Sequence, residues 1–371
     1  MHALTPFIAL VRKELLAVLK DPANRLILIV PVILQSLLFG YAATYDLVDV
    51  PYALFDESRS VSSADLAARL EGTGVFHRVA GPGTIAEIAR TVEIGDALLV
   101  LHIGADFEQR LLAGQAAPVQ LILDARNSTT AGSAAGYIGA VVADFNRDLR
   151  RRLGLAGPPV TVETRAWFNP NLETRWNFMP ALIASLSMIQ VLLLAALSVA
   201  REREQGTFDQ LLVTPLSPLA IMAGKALPPM LIGLVQSSIV FAVTRHWFDV
   251  PLVGSLANLY GGLLLFMLAG VGLGLSISAV SLNMQQAMLY TFVLLMPMML
   301  LSGLMTPIQN MPEVLQLATY ANPLRFGIDI VRRIYLEGVG LADLAGDVVP
   351  LLVIAALTMP AAAWMFRHRL A

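Results

Sequence analysis

Apolar residues in this chain are gathered into long runs, and charge marks the ends of each run. Residues 26–44 carry no charge between Arg25 and Asp46, and residues 177–200 carry none between Arg175 and Arg201. The same holds for 226–244, between Lys225 and Arg245. Residues 250–312 contain no charged side chain at all. A helix crosses a bilayer core with roughly 20 apolar residues. The last tract therefore holds two crossings, at 255–280 and 284–304, broken at Ser281-Leu282-Asn283. A final run covers 348–366. The pattern predicts six transmembrane helices. The first run is longer than the apolar part of a signal peptide and follows an N-terminal segment, so it reads as an uncleaved anchor.

Between the first two crossings the pattern changes. Charges return, and short β-rich runs alternate with helical ones. Residues 50–55, 75–80, 97–103, 119–124 and 160–166 read as strands. Residues 63–70, 84–93, 106–112 and 130–153 read as helices, and Gly81-Pro82-Gly83 is a turn. Such alternation predicts a compact α/β domain. The fold class is thus a polytopic α-helical membrane protein of six transmembrane helices. Its α/β domain is inserted on the extracytoplasmic side, between the first and second spans.

Composition agrees. Of 371 residues 56% are hydrophobic and only 14% charged, against about 25% charged in soluble domains; the mean hydropathy is +0.68. The net charge of -2 gives no reason to expect a nucleic-acid partner. The absence of cysteine excludes disulfides, thiolate sites and iron–sulfur clusters. Basic residues flank the first span (Arg12, Lys13, Lys20, Arg25), mark the second loop (Arg201, Arg203, Lys225) and end the chain (Arg367, Arg369). The positive-inside rule makes these regions cytoplasmic, and both termini with them. Arg325, Arg332 and Arg333 fall on the other side, against the rule, with acids interleaved.

Three segments read as membrane-surface or packing elements. Thr5-Pro6 starts a helix that places Phe7, Val11, Leu15 and Val18 on one face and Arg12, Lys13 and Lys20 largely opposite. That is the pattern of an amphipathic helix on the cytoplasmic leaflet. After Gly303 the chain turns irregular through Pro307, Asn310 and Pro312. Asn322-Pro323 then caps a helix that ends at Gly338. On it Arg325, Asp329, Arg333 and Glu337 alternate in sign at i,i+4 spacing, which supports an exposed face, while Leu324, Ile328, Val331 and Tyr335 form an apolar stripe. Gly270 and Gly274 have the small-xxx-small spacing that lets membrane helices approach closely. Pro31, Pro180 and Pro297 fall inside spans and receive no role.

Catalytic chemistry is not visible. No GxxxxGK[ST] phosphate loop occurs, since Gly224-Lys225 lacks the rest of it. The five histidines are scattered without metal spacing, and no serine sits in a GxSxG. The predicted spans hold no Asp, Glu, Lys, Arg or His, the groups that ion-coupled carriers and pumps place in the membrane. If the protein moves a compound, the energy comes from elsewhere.

The loop 201–225 carries the most information. Arg201, Glu202, Arg203 and Glu204 extend the second span into water, and Gly206 breaks it. Thr207 caps a short turn with Phe208, Leu211 and Leu212 apolar. Thr214-Pro215 stops that turn, and Ser217-Pro218 starts the next helix. The result is a rigid, partly apolar knob at the membrane. This loop resembles the permease subunits of ABC exporters of type-2 architecture, specifically bacterial multidrug and efflux permeases with a large periplasmic domain. Lys20-Asp21-Pro22 before the first span shares the resemblance. So do Ala200 to Thr207, Gln210 to Leu216 and Gly224-Lys225, then Ser302-Gly303 to Pro307, Asn310-Met311-Pro312 and Asn322-Pro323-Leu324-Arg325.

The resemblance implies a transport subunit that is not itself an enzyme. It binds no cofactor and no metal, and ATP and magnesium belong to a partner ATPase. Residues 1–25 would be a cytoplasmic connecting helix, 26–45 the first span and 46–175 the periplasmic domain. Residues 176–371 would form five further spans, with the cytoplasmic coupling loop 201–225 and an external re-entrant region 304–345. The coupling residues would be Arg201, Glu202, Arg203, Glu204, Gly206, Thr207, Leu211, Leu212, Thr214, Pro215 and Lys225. Pro307, Asn322, Pro323 and Arg325 would shape the outer closure, and Gly270 and Gly274 the helix packing. The implied partners are ABC ATPase subunits, a second permease in a homo- or heterodimer, a periplasmic adaptor, and the lipid of the bacterial inner membrane. The expected function is ATP-driven export of an amphipathic or hydrophobic compound. The alternatives left open by the residues are an ATP-independent channel or ion-coupled carrier, and a non-transporting receptor or scaffold.

Overall fold

The computed structural model describes residues 4–20, 22–42, 47–126, 128–154, 173–208 and 216–368. In chain order the helices and strands begin with α1 (Leu4–Leu19), α2 (Pro22–Ala42), β1 (Val50–Asp56), α3 (Val61–Glu71), β2 (Phe76–Val79) and α4 (Ile85–Glu93). Next come β3 (Leu99–Ile103), α5 (Phe107–Leu112), β4 (Val119–Leu123), α6 (Ser128–Arg152), α7 (Thr174–Glu204) and α8 (Pro218–His246). The chain closes with α9 (Leu256–Val280), α10 (Met284–Leu300), α11 (Glu313–Ala318), α12 (Pro323–Arg332) and α13 (Ala345–His368). These form two compact units. One is Tyr45–Arg165; the other joins Met1–Thr44 to Ala166–Ala371.

In the unit Tyr45–Arg165 a four-stranded sheet has the order β2-β1-β3-β4. β1 runs parallel to β2 and β3, and β4 antiparallel to β3. Strand alternation sorts the two faces. Tyr52, Leu54, Leu99 and Leu101 meet Leu66 and Leu70 of α3 and Ile138 and Phe145 of α6. Ala53 and Val100 meet Ile88 of α4 on the other face. α3 begins with a reciprocal capping box between Ser60 and Ser63, which satisfies two otherwise orphaned donors. The predicted strand 160–166 lies outside the described residues.

The second unit is a helical bundle built around α7, which packs against α8, α9, α10 and α12. Among the described residues, five helical segments are long and apolar enough to cross a membrane: Arg25–Ala42, Thr174–Glu204, Leu219–His246, Leu256–Val280 and Leu341–Phe366. α10 is apolar but has only 17 residues, the short limit for a crossing. It stops at Leu300, four residues before the predicted end. There Ser302 donates to the Met299 carbonyl and accepts from the Leu304 amide, and Gly303 turns the chain with φ +79°. Gly270 and Gly274 lie in the contact between α9 and α7. A Cβ at Gly274 would lie 2.6 Å from Ala195 Cβ and 2.8 Å from the Leu192 carbonyl oxygen, and one at Gly270 would lie 2.5 Å from Met188 Sδ.

At the end of the bundle where α7 begins, Asn322 caps α12. Its side chain accepts from the Leu324 amide at 3.0 Å and donates to the Met298 carbonyl at 2.8 Å. The expected stripe of Leu324, Ile328, Val331 and Tyr335 is buried. The helix continues as one π turn, Arg333–Glu337, and ends at Gly338, whose φ of +72° is left-handed. The expected exposed ladder of charges is only partly realised. Arg333 does reach Glu337 at 3.5 Å, but it also reaches Asp347 of α13 at 3.4 Å. Arg325 turns to the Thr319 hydroxyl and lies over the Tyr320 ring. Arg332 donates to the Asn177 and Gly303 carbonyls. Most of α12 is enclosed by protein, so its charges find partners beyond their helical neighbours. Pro307 sits exposed, just before a short 3-10 turn at Ile308–Asn310.

Candidate functional site

The other end of the bundle collects α1, the end of α7, the start of α8, the α9–α10 turn and the end of α13. Local sequence sets most of these endpoints. Gly206 adopts φ +67°, where a side chain would be strained, and so ends α7. The amides of Gln205, Gly206 and Thr207 return to the carbonyls of Arg201, Arg203 and Glu202. Ser217 caps α8 by accepting from the Ala220 amide, with proline in the first turn.

Of the four charges predicted to extend into water, Glu204 is exposed, Arg201 and Arg203 are half-buried, and Glu202 is buried together with Lys225 and Glu14. Lys225 is 0% exposed, Glu202 4% and Glu14 8%. Lys225 Nζ lies 2.8 Å from Glu14 Oε1 and 2.8 Å from Glu202 Oε2, and donates to Ser198 Oγ at 3.3 Å. Lys13 Nζ, on the solvent rim, donates to Glu202 Oε1 at 2.7 Å. Two cations and two carboxylates thus close a quartet joining α1, α7 and α8, with Lys225, Glu14 and Glu202 buried and Lys13 exposed. Burial is tolerable only because each charge has a counter-charge within hydrogen-bond reach.

The neighbouring charges are also tied to protein. Arg203 donates to the carbonyls of Ala279 at 2.9 Å and Ser281 at 2.8 Å, satisfying acceptors at the end of α9. Its guanidinium lies 5.0 Å from the Phe208 ring centroid. Glu204 accepts from the Met284 amide at 2.8 Å, placing a carboxylate at the N-terminus of α10. Phe208, read as part of a partly apolar knob, is 9% exposed and packs against Phe366 with centroids 5.3 Å apart. Arg201 is half-buried and lines a small cavity with Glu14, Ser198, Pro228 and Pro229. Thr207 closes α7 through its amide to Glu202; its side chain also reaches that carbonyl, at 3.4 Å. Leu211, Leu212, Thr214 and Pro215 lie outside the described residues.

α1 forms as a helix over Leu4–Leu19. Its buried residues are Leu10 and Glu14, with Phe7, Val11, Leu15 and Val18 half-buried. Leu10 and Phe7 press on Gly224, where a Cβ would lie 2.7 Å from Leu10 Cδ2. The helix therefore uses its stripe to pack on α8. Glu14 and Ser198 were missed from sequence. The available signal was position: Glu14 falls four residues after Leu10 and four before Val18, an acid on an apolar stripe. At the opposite end Asn322, Pro323 and Arg325 gather around the α10–α12 connection, apart from this quartet.

Similarity to known proteins points the same way. Residues 25–364 match the family described as ABC-2 family transporter protein. The chain is 41% identical over 364 residues to the Escherichia coli (strain K12) protein named probable multidrug ABC transporter permease YbhR, covering 97% of this chain and 98% of that one. It is 28% identical over 361 residues to the probable multidrug ABC transporter permease YbhS of the same organism, covering 96% and 93%. Over 260 residues it is 29% identical to the inner membrane transport permease YhhJ, covering 69% of each chain.

Proposed function

This chain belongs to the ABC-2 transporter family, and from that premise we propose that the quartet end of the bundle is where a separate ATPase docks. The chain is the multi-pass membrane permease subunit of an ABC exporter, and ATP hydrolysis lies in another subunit. The observation that carries the docking assignment is convergence. α1, α7, α8, the α9–α10 turn and α13 are cross-linked there by Glu14, Lys225, Glu202, Arg203, Glu204 and Phe208. A push at this one face is delivered to five helical elements together.

In the finer reading, α10 is a sixth span, completed by the turn that follows it. The quartet end and both termini are cytoplasmic, and the α/β unit is periplasmic. The membrane is the bacterial inner membrane, as the name of YhhJ suggests. Residues Glu202 to Pro215 act as the coupling element, and the Asn322–Arg325 region closes the outer side. The permease works as a homo- or heterodimer, and a periplasmic adaptor meets the α/β unit. The cargo is an amphipathic or hydrophobic compound, consistent with the names of YbhR and YbhS. Replacing Leu211 and Leu212 with aspartate tests the docking surface. The variant is expected to insert normally and to lose co-purification of the ATPase. Undiminished association would reject the assignment.

A further inference from the structure

Resting on that docking assignment, we propose that α1 is tied to the docking face by charge, through Lys13–Glu202 and Glu14–Lys225, and that these two ties make α1 follow the ATPase. Lys13 and Glu14 are thereby positioning residues for coupling.

Stability alone does not account for the arrangement. Burying ions costs desolvation that their mutual attraction often fails to recover, and apolar replacements are frequently neutral or better. An ionic tie instead fixes direction and register. α1 packs on α8 along one side only. Ile8, Leu16 and Leu19 are exposed, leaving one strip, centred on Leu10, against α8. Both ties converge on adjoining helix ends. Glu202 is in the last turn of α7, beside the docking loop, and Lys225 is in the opening turns of α8.

The turn bearing Lys225 is built to shift. Pro228 and Pro229 lack amide hydrogens, so the carbonyls of Gly224 and Lys225 have no i+4 helical donor. The helix is loosened directly above the charged residue. The small cavity lined by Glu14, Val18, Ser198, Arg201 and the two prolines leaves free space beside it. α1 leads into α2 at Pro22, so its displacement reaches the first span directly.

The test uses the full chain in nanodiscs with its co-purified ATPase. Because the chain has no cysteine, spin labels can be placed on exposed Leu16 and Leu231 alone. Trapping the ATP-bound state should move the α1-to-α8 distance by on the order of 2 Å, typical of helix shifts. Lys13→Gln with Glu14→Gln cuts both ties and leaves Lys225 paired with Glu202. This variant should fold and hold the ATPase, yet lose the shift. Lys13→Arg with Glu14→Asp should keep it. Three results would overturn the inference with the ATPase still bound: a normal shift in the neutral variant, none in the parent, or none in the charge-conserving variant. Failure of the parent to hold any ATPase would instead sink the docking assignment, and the inference with it.

Discussion

Lys225 shows how much depends on one side chain. Removing its charge strands Glu14 in a buried site and leaves Glu202 with Lys13 alone. Breaking a buried pair from one side costs about 3–5 kcal/mol, so Lys225→Met should lower the thermal midpoint of the purified protein steeply. Adding Glu14→Gln and Glu202→Gln should recover most of the loss; no recovery would show that the charges are not mutually compensating. Gly274 offers a steric counterpart. Its missing Cβ lets α9 approach the α7 backbone, so Gly274→Ala should destabilise by about 1–3 kcal/mol through overpacking. A Cβ at Gly139 of α6 meets nothing within 4 Å, and alanine there should stabilise by about 0.5–1 kcal/mol. Comparative melting of the two variants checks both signs. The small-xxx-small spacing was legible in sequence. The quartet was not, because Glu14 and Lys225 are separated by 211 residues and no local pattern connects them.

At the scale of elements, termini were the most readable feature, since caps are local. Ser217-Pro218, Asn322-Pro323, Gly206 and Gly338 each sit where the backbone needs them. What surrounds an element was less readable: the apolar stripe of α12 is buried as expected, but its charged face, expected to be exposed, is largely enclosed too. Asn322→Ala should remove a cap worth about 0.5–2 kcal/mol and leave the Met298 carbonyl unpaired. Hydrogen exchange of the Leu324–Ile328 amides should then quicken, while that of α7 stays unchanged. In the α/β unit, Arg69 bridges α3 to α6 through Asp144 and Asp148. Hydrogen bonding to Arg69 holds the Asp148 carboxyl below its usual range. A depressed carboxyl contributes stability above its unfolded value, near 4, and loses it as pH falls through the folded value. Exchange protection of α3 and α6 should therefore weaken as pH drops below about 4, and Arg69→Leu should flatten that dependence. An unchanged profile would remove Arg69 from the account.

Across the whole molecule, charge-free runs located the helices well, because lipid admits few other patterns. They failed at the edges. α10 ends early at a serine–glycine turn, and Glu202, expected in water, is buried by protein. Arg325, Arg332 and Arg333, which contradict the positive-inside rule, are held by Thr319, by backbone carbonyls, and by Glu337 and Asp347. Charges so engaged are poor guides to orientation. Tyr41 and Trp247, exposed and hydrogen-bonded at 2.9 Å, fit an aromatic belt at the opposite interface. The central claim is that the quartet end faces the cytoplasm and receives an ATPase. A single cysteine in place of exposed Gln205, probed with a membrane-impermeant maleimide, tests it most directly. The account predicts labelling in inverted vesicles but not in intact cells, with protection when the ATPase is bound. Labelling from the outside, or reactivity indifferent to the ATPase, would contradict it.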